Sequence, residues 1–300
     1  VAVIALISDI HGNIDAFRAV VEAIRSDGDI AEIVCLGDTI GYCPGGNEVI
    51  ELLASLEEEY AIRYNLGSHD GAALELYQFI DMTNDTDAET LRSAGLESEE
   101  AVVTDYFDAE NRRFVPVRPD ARDAMMWTLE HLSDGARGFL RERLKPVIEI
   151  APGIISVHGS PRDTACEYVR DARFARKCIE SPKMDGIRLC FVGHTHLPVV
   201  WRMKRGEIAE VAGRRVCLSP PRPDFSERVQ FERARELAIA NVGSVGQPRD
   251  RDPRACHARF SAETSVFEHV RTAYDVEAAA SRIRAAGFSE RLAERLFRGA

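Results

Sequence analysis

Three hundred residues, 45% of them hydrophobic and 29% charged, suit one large α/β domain or two small ones with a substantial buried core. A formal net charge of −11 repels DNA, RNA and anionic membrane surfaces, which argues against an extended nucleic-acid face. A small phosphate substrate stays open, provided that bound metal ions supply positive charge locally.

No apolar run approaches the roughly 18 residues needed to cross a bilayer. The opening VAVIALIS is short for a signal segment, lacks a basic start and runs straight into Asp9. It is therefore read as the first strand, and the protein as cytoplasmic. AVIALIS (2–8), EIVCLG (32–37) and YAIRYNLG (60–67) are apolar runs separated by IDAFRAVVEAIRS (14–26) and NEVIELLASLEE (47–58), both of helical spacing. That alternation predicts βαβ units with parallel strands. Residues 72 to 148 break the rhythm with an acidic stretch at 81–102 and a strongly helical one at 120–144. They are expected to form a helical insertion over one side of a single domain spanning 1–300.

The sheet pattern returns at GIISVHG (153–159) and IRLCFVGHTH (187–196). After 197, PVVWRMKRGEIAEV, GRRVCLS, ELAIANVGS and HARFSAETSVFEHV predict antiparallel hairpins, and two amphipathic helices close the chain. The seven cysteines are scattered, with no C-x-x-C pair, which argues against a disulfide framework and a zinc ribbon. Cys35, Cys43 and Cys190 are expected to be structural.

Five of the eight histidines fall in four short stretches: SDIHGN (8–13), LGSHDG (66–71), VHGS (157–160) and VGHTH (192–196). LGDTIG (36–41) adds Asp38. Most of these stretches directly follow an apolar run, so their polar residues should stand at strand ends, where ligand sites of α/β sheets collect. Asp9 and His11, like His194 and His196, are two residues apart. In extended chain each pair shares one side, about 6.5 Å apart along the backbone, and can serve one metal or two. A lone histidine beside a strand is ordinarily a packed, hydrogen-bonded residue, and Asp38 alone could cap a turn. Five such elements, each beside a glycine, point instead to a metal centre. Mixed imidazole and carboxylate donors suit Mn, Fe or Zn better than Mg or Ca. His131, His257 and His269 lack this context and are read as structural.

The order D-x-H, G-D, G-x-H-D, a lone H, then G-H-x-H resembles the signature of the calcineurin-like metallophosphoesterases. The likeness extends over the whole chain: HGSPRD (158–163), NVGSVGQPRD (241–250) and the closing helices resemble one bacterial branch of phosphodiesterases and phosphatases. It implies a four-layer α/β/β/α sandwich of two mixed sheets and two divalent transition-metal ions. Asp9, His11 and His196 would hold the first ion, Asp38 would bridge, and His158 and His194 would hold the second. The family places an asparagine ligand of the second ion where this chain has Ser68. A serine oxygen is one bond nearer the backbone and a weaker ligand, so the backbone moves in, a water intervenes, or the second ion is held less tightly. Asn65, three residues upstream, is not expected to replace it.

The resemblance further implies hydrolysis of a small phosphodiester, nucleotide-like or otherwise organic, by a hydroxide held between the ions. His69 would stabilise the transition state or protonate the leaving oxygen, and Asp70 would orient His69 by accepting its other N–H. Arg162 and Asn241 are candidate phosphate contacts, with a surface salt bridge the equal alternative for Arg162. Residues 243–250 either border the site or form a plain turn. A phosphomonoesterase or protein phosphatase would use the same residues, and a non-catalytic scaffold would fit the change at Ser68. A serine hydrolase built on Ser160 or Ser244 is disfavoured, because neither lies in a G-x-S-x-G elbow.

Overall fold

The computed structural model describes residues 2–74, 105–108, 113–116, 119–204, 207–213, 228–232 and 236–300. Strand β1 (Val3–Ile7) shows how its layers arise. Its even positions, Ile4 and Leu6, enter the core between two sheets, while Ala5 and Ile7 lie under helices on the outer face. Strand β2 (Ile30–Cys35) pairs with β1 in parallel and β3 (Ala61–Asn65) pairs in parallel with β2, as the βαβ reading required. The crossovers are α1 (Ile14–Ser26) and α2 (Gly46–Leu56). Asn13 starts α1 by accepting from the Ala16 N–H at 3.1 Å, and Phe17, Val20 and Ile24 bury its inner stripe.

The expected insertion is not all helix. It carries a two-stranded antiparallel ladder, β4 (Asp105–Asp108) with β5 (Arg113–Pro116), before helices Pro119–His131 and Asp134–Arg143. Ser133 caps the second of these by accepting from Ala136 N, which breaks the helical stretch in two. Met125, Leu129 and Leu140 pack with Ile50 of α2. The acidic stretch 81–102 lies outside the described residues. Strand β6 (Leu144–Lys145) then joins β3.

The remaining strands are β7 (Ile148–Ala151), β8 (Ile154–Ser156), β9 (Leu189–Val192), β10 (Val199–Lys204) and β11 (Glu207–Gly213). They are followed by β12 (Arg228–Gln230), β13 (Leu237–Asn241), β14 (Ala255–Ser261) and β15 (Val266–Thr272). One sheet has the order β12-β15-β14-β1-β2-β3-β6 and the other β11-β10-β13-β9-β8-β7. The C-terminal strands were expected to be antiparallel throughout. They are so among themselves, β10 with β11 and β13, and β15 with β12 and β14; β13 also pairs in parallel with the earlier β9, lying between β9 and β10. Most of GRRVCLS lies outside the described residues.

Leu6, Val34, Phe191, Val200, Ala240, Phe260 and Phe267 join the sheets face to face. Helices α1 and α2 cover one sheet and Ala172–Ile179 the other, completing the α/β/β/α sandwich. The terminal helices Val276–Ala285 and Glu290–Arg298 pack together around Ile283, Leu292 and Leu296. The six described cysteines are free, and Cys43 is buried between the half-buried Tyr42 and Pro44. Among the described residues no helix is long and apolar enough to cross a membrane.

Phe191 is fully buried, with its ring 4.8 Å from Phe260 and 5.7 Å from Phe267 across the sheet interface. Phe191→Ala should destabilise the fold by about 3–5 kcal/mol. A urea titration should show a lower midpoint, and an unchanged one would mean that this face does not hold the sheets together.

Candidate metal centre

The strands stop short of the ligands. Asp9, His11, Asp38, His194 and His196 all have positive φ, between 50° and 63°, a region that side-chain-bearing residues avoid. The i, i+2 pairs are therefore not extended chain, as the spacing suggested: β1 ends at Ile7 and β9 at Val192, and the backbone turns sharply beyond them. Loop-to-loop hydrogen bonds hold these turns. Asp9 N donates to Gly37 O at 3.0 Å and His11 N to Asp38 O at 2.9 Å. His194 N donates to Asp9 Oδ2 at 3.0 Å, while Ser244 Oγ and Gly246 N both donate to Asp9 O at 2.9 Å.

Close packing of the loops explains two of the flanking glycines. A Cβ on Gly67 would stand 2.0 Å from Asp38 N, and one on Gly193 would stand 2.0 Å from Ser8 Oγ and 2.8 Å from Asp9 Oδ2.

The six expected His and Asp ligands are buried, none more than 7% exposed. They converge as Asp9–His11–His196 and Asp38–His158–His194, with ligand atoms in each group within 4.8 Å of one another. His69 falls in a third such group with His11 and Asp38.

The hydrogen bonds settle what these groups suit. His11 Nδ1 faces Ile40 O at 3.1 Å, and His196 Nδ1 faces Gln247 O at 2.6 Å. A carbonyl only accepts, so each Nδ1 carries the proton and each Nε2 is left as a lone pair. Those two Nε2 atoms are 3.1 Å apart. The second group repeats the pattern: His158 Nδ1 donates to Leu36 O at 2.8 Å and His194 Nε2 to Cys166 O at 3.0 Å. His158 Nε2 and His194 Nδ1 then face each other at 3.1 Å. The His11 and His196 lone pairs face each other with no proton between them, a gap that suits a shared cation. In the second pair a protonated His158 can donate to His194 Nδ1 and Asp38 Oδ2, and a cation there would take the place of that proton. Asp9 Oδ1 is buried without a hydrogen-bond partner and completes the first set.

The electrostatics agree. Burial pushes Asp9 up to about 7, with His158 partly opposing. Burial drives His11 and His196 well below the ordinary imidazole value, and His194 to about 3, so their lone pairs stay open at neutral pH. Burial also opposes the charge on Asp38 and on His158, but the attraction between the two outweighs it. Asp38 stays well below the usual carboxylate range and His158 is held up at about 9.

Ser68 opens a helix at 68–74 and lies within the second group. Its Oγ donates to Asp38 Oδ2 at 3.1 Å and is 3.4 Å from His194 Nδ1. Asn65 is engaged elsewhere, accepting from Ser156 Oγ at 2.7 Å.

Two expected roles are corrected, and for Arg162 one of the two expected alternatives is seen. Asp70 does not orient His69: its Oδ1 accepts from Thr39 N at 3.0 Å and Thr39 Oγ1 at 2.7 Å, and its Oδ2 from Gly67 N at 3.3 Å. It pins the turn carrying Asp38 to the start of the 68–74 helix. Arg162 gives its guanidinium to Glu167 at 3.4 Å, the salt-bridge alternative. Asn241 is fully buried, and its amide donates to Gly193 O and Thr195 Oγ1 at 2.5 and 2.9 Å. It props the loop bearing His194 and His196 and is out of reach of a substrate.

Residues outside the expected set also border the centre. The Tyr42 ring lies 4.7 Å from both His11 and His69, and Tyr168 stacks on His194 at 4.0 Å. Arg249 joins through a backbone N–H to His196 O at 3.2 Å. NVGSVGQPRD was the signal for Arg249; the tyrosines had none.

Metal loading must displace the protons on Asp9 and His158, whose values stand near 7 and 9. Apparent Mn²⁺ affinity should rise about tenfold per pH unit up to 9 at the His158 site and up to 7 at the Asp9 site, with one proton released at each below those values. Calorimetric titration in two buffers of different ionisation enthalpy counts those protons. Binding at pH 7.5 with none released would contradict the assignment.

The calcineurin-like phosphoesterase family model matches residues 2–198. The uncharacterized protein MJ0912 of Methanocaldococcus jannaschii is 28% identical over 306 residues, covering 99% of this chain and 98% of that protein. A metallophosphoesterase from Sphaerobacter thermophilus is also 28% identical; its crystal structure superposes with a TM-score of 0.69 over 100% of this chain and 99% of that one. The hypothetical protein PH1004 from Pyrococcus horikoshii OT3 gives the same TM-score of 0.69 at 18% identity, covering 100% and 99%, and speaks to the fold alone. The family match spans well over half of the chain and contains every ligand stretch named above, so the chain belongs to the calcineurin-like phosphoesterases.

Proposed function

We propose that the protein is a dinuclear metal-dependent phosphodiesterase acting on small nucleotide-like or organic phosphodiesters. The observation that carries this reading is the two facing pairs of imidazole nitrogens, each beside a buried carboxylate. Asp9, His11 and His196 would hold one ion, His158 and His194 the other, with Asp38 between them and Ser68 as a weak oxygen donor to the second. Ions of the Mn, Fe or Zn kind supply Lewis acidity and activate water at neutral pH when bound there.

His69 supplies the proton contact. Its backbone N–H donates to Asp38 Oδ1 at 2.7 Å, which fixes the residue beside the centre. Its ring Nδ1 is buried without a partner among the described residues. Burial keeps the ring largely neutral, so it offers one N–H to a phosphoryl or leaving oxygen. Tyr42 packs against the ring and limits its rotation. Asp70 acts at one remove, by holding Thr39 and Gly67 around Asp38. The free cysteines support a cytoplasmic site of action.

Metal content per chain, paired with hydrolysis of bis-p-nitrophenyl phosphate with and without Mn²⁺ and EDTA, tests the reading. Close to two ions and a chelator-sensitive rate are expected. His69→Gln should lower kcat by about 10²–10⁴ with metal content unchanged. One ion, with activity appearing on added Mn²⁺ and Ser68→Asn restoring the second, would locate the weakness at Ser68. No metal and no rate under any condition would leave a non-catalytic scaffold.

A further inference from the structure

A cavity of about 420 Å³ lies beside the second ligand group, lined by Tyr168, Arg170, Thr195, Leu197 and Arg249. Tyr168 stacks on His194, and Thr195 sits between His194 and His196 in the chain, so the cavity abuts the centre. Its size is within the roughly 300–1,000 Å³ of small-molecule sites and exceeds the need of one phosphoryl group.

Two arginines face it without a salt bridge to any carboxylate among the described residues. Arg249 is half-buried, and its Nε is buried with no hydrogen-bond partner. Its Nη2 reaches the neutral Gln247 Oε1 at 3.1 Å and Tyr42 OH at 3.5 Å. Burial first, and Arg249's charge among the further influences, lowers the basicity of His11, His194 and His196, so this cation is felt across the whole centre. Arg170 stands over the Tyr168 ring at 5.2 Å.

Arg249 is half-buried and feels the Asp9 carboxylate, which would itself face the ions, so a ligand phosphate would give this guanidinium a counter-charge of its own. Two divalent ions would bring four positive charges against the carboxylates of Asp9 and Asp38. Adding Arg249 and Arg170 leaves a surplus that a diester phosphate, with one negative charge, does not balance. Guanidinium forks match phosphate oxygens in geometry as well as charge. Tyr168 and Leu197 give the same cavity an apolar wall for an organic body.

We infer that this cavity is a subsite for a second phosphate group, so that the substrate is an organic phosphoester bearing another phosphate besides the one cleaved. The inference deepens the phosphoesterase reading and rests on it for the position of the cleaved group.

The test compares adenosine 5′-monophosphate with adenosine 3′,5′-bisphosphate, two probes that differ by one phosphate, by calorimetry on Mn²⁺-loaded protein. The wild type should bind the bisphosphate at least tenfold more tightly. The gap should fall below threefold in Arg170→Gln, recover in part in Arg170→Lys, and vanish in the Arg170→Gln, Arg249→Gln double variant. Should either nucleotide turn over, the ratio of kcat/KM replaces the ratio of Kd. Circular dichroism on each variant separates loss of the subsite from loss of the fold. Equal binding of the two probes by the wild type, or a gap that survives in the double variant, overturns the subsite. Absence of chelator-sensitive hydrolysis of bis-p-nitrophenyl phosphate, with the gap intact, overturns the phosphoesterase reading and leaves the subsite standing.

Discussion

Four backbone carbonyls, those of Leu36, Ile40, Cys166 and Gln247, govern the centre. Each takes the proton-bearing nitrogen of one histidine and thereby turns the other nitrogen inward, toward the buried carboxylates. The carbonyls come from three separate loops, so the donor set exists only when those loops are in register. Two of them flank Asp38 in the chain, which links the tautomers of His11 and His158 to the turn that carries the central carboxylate. That turn is held by Asp70 through Thr39 and Gly67. The chain of dependence runs from a buried carboxylate that touches no ligand side chain to the ring nitrogens themselves.

Such an arrangement is costly. Five ligands occupy left-handed backbone, at of order 1–3 kcal/mol each, and two carboxylates are buried among imidazole rings of which only His158 is held in its charged form. The cost is carried by the apolar core between the sheets and by the loop hydrogen bonds converging on Asp9. Bound cations relieve the electrostatic part of it and leave the backbone part unchanged. The metal-free protein is thus the less stable state, and the difference is concentrated at the strand ends.

Much of this was legible in the sequence. The unbroken apolar run of VAVIALIS and the 3.6-residue stripe of 14–26 specify β1 and α1, because solvent exclusion acts on each residue locally. The His and Asp ligands were visible because a glycine accompanies each stretch, and Gly67 and Gly193 show why: loops this close leave no room for a Cβ. The backbone conformation of the ligands was not visible, since positive φ at Asp9 or His194 is imposed by neighbours far along the chain. The roles of Asp70 and Asn241 were misread for a related reason. Both are polar and sit in ligand stretches or beside strand ends, and only three-dimensional packing shows that their hydrogen-bonding capacity is already used. Arg249 lies in a Gly- and Pro-containing turn without periodicity, so the resemblance of NVGSVGQPRD marked the segment but nothing local singled out the arginine within it.

The Asp9–His11–His196 and Asp38–His158–His194 groups each draw on both sheets. Asp9 and His11 follow β1 and Asp38 follows β2, in one sheet, whereas His158, His194 and His196 follow β8 and β9, in the other. Ions bound at the centre would therefore act as rivets through the sandwich at one end, where the apolar interface gives way to loops. Any slippage of one sheet over the other has to shear the coordination shells before it opens the core. Damage to the interface, even several residues from the centre, would then register as loose metal well before it registered as unfolding.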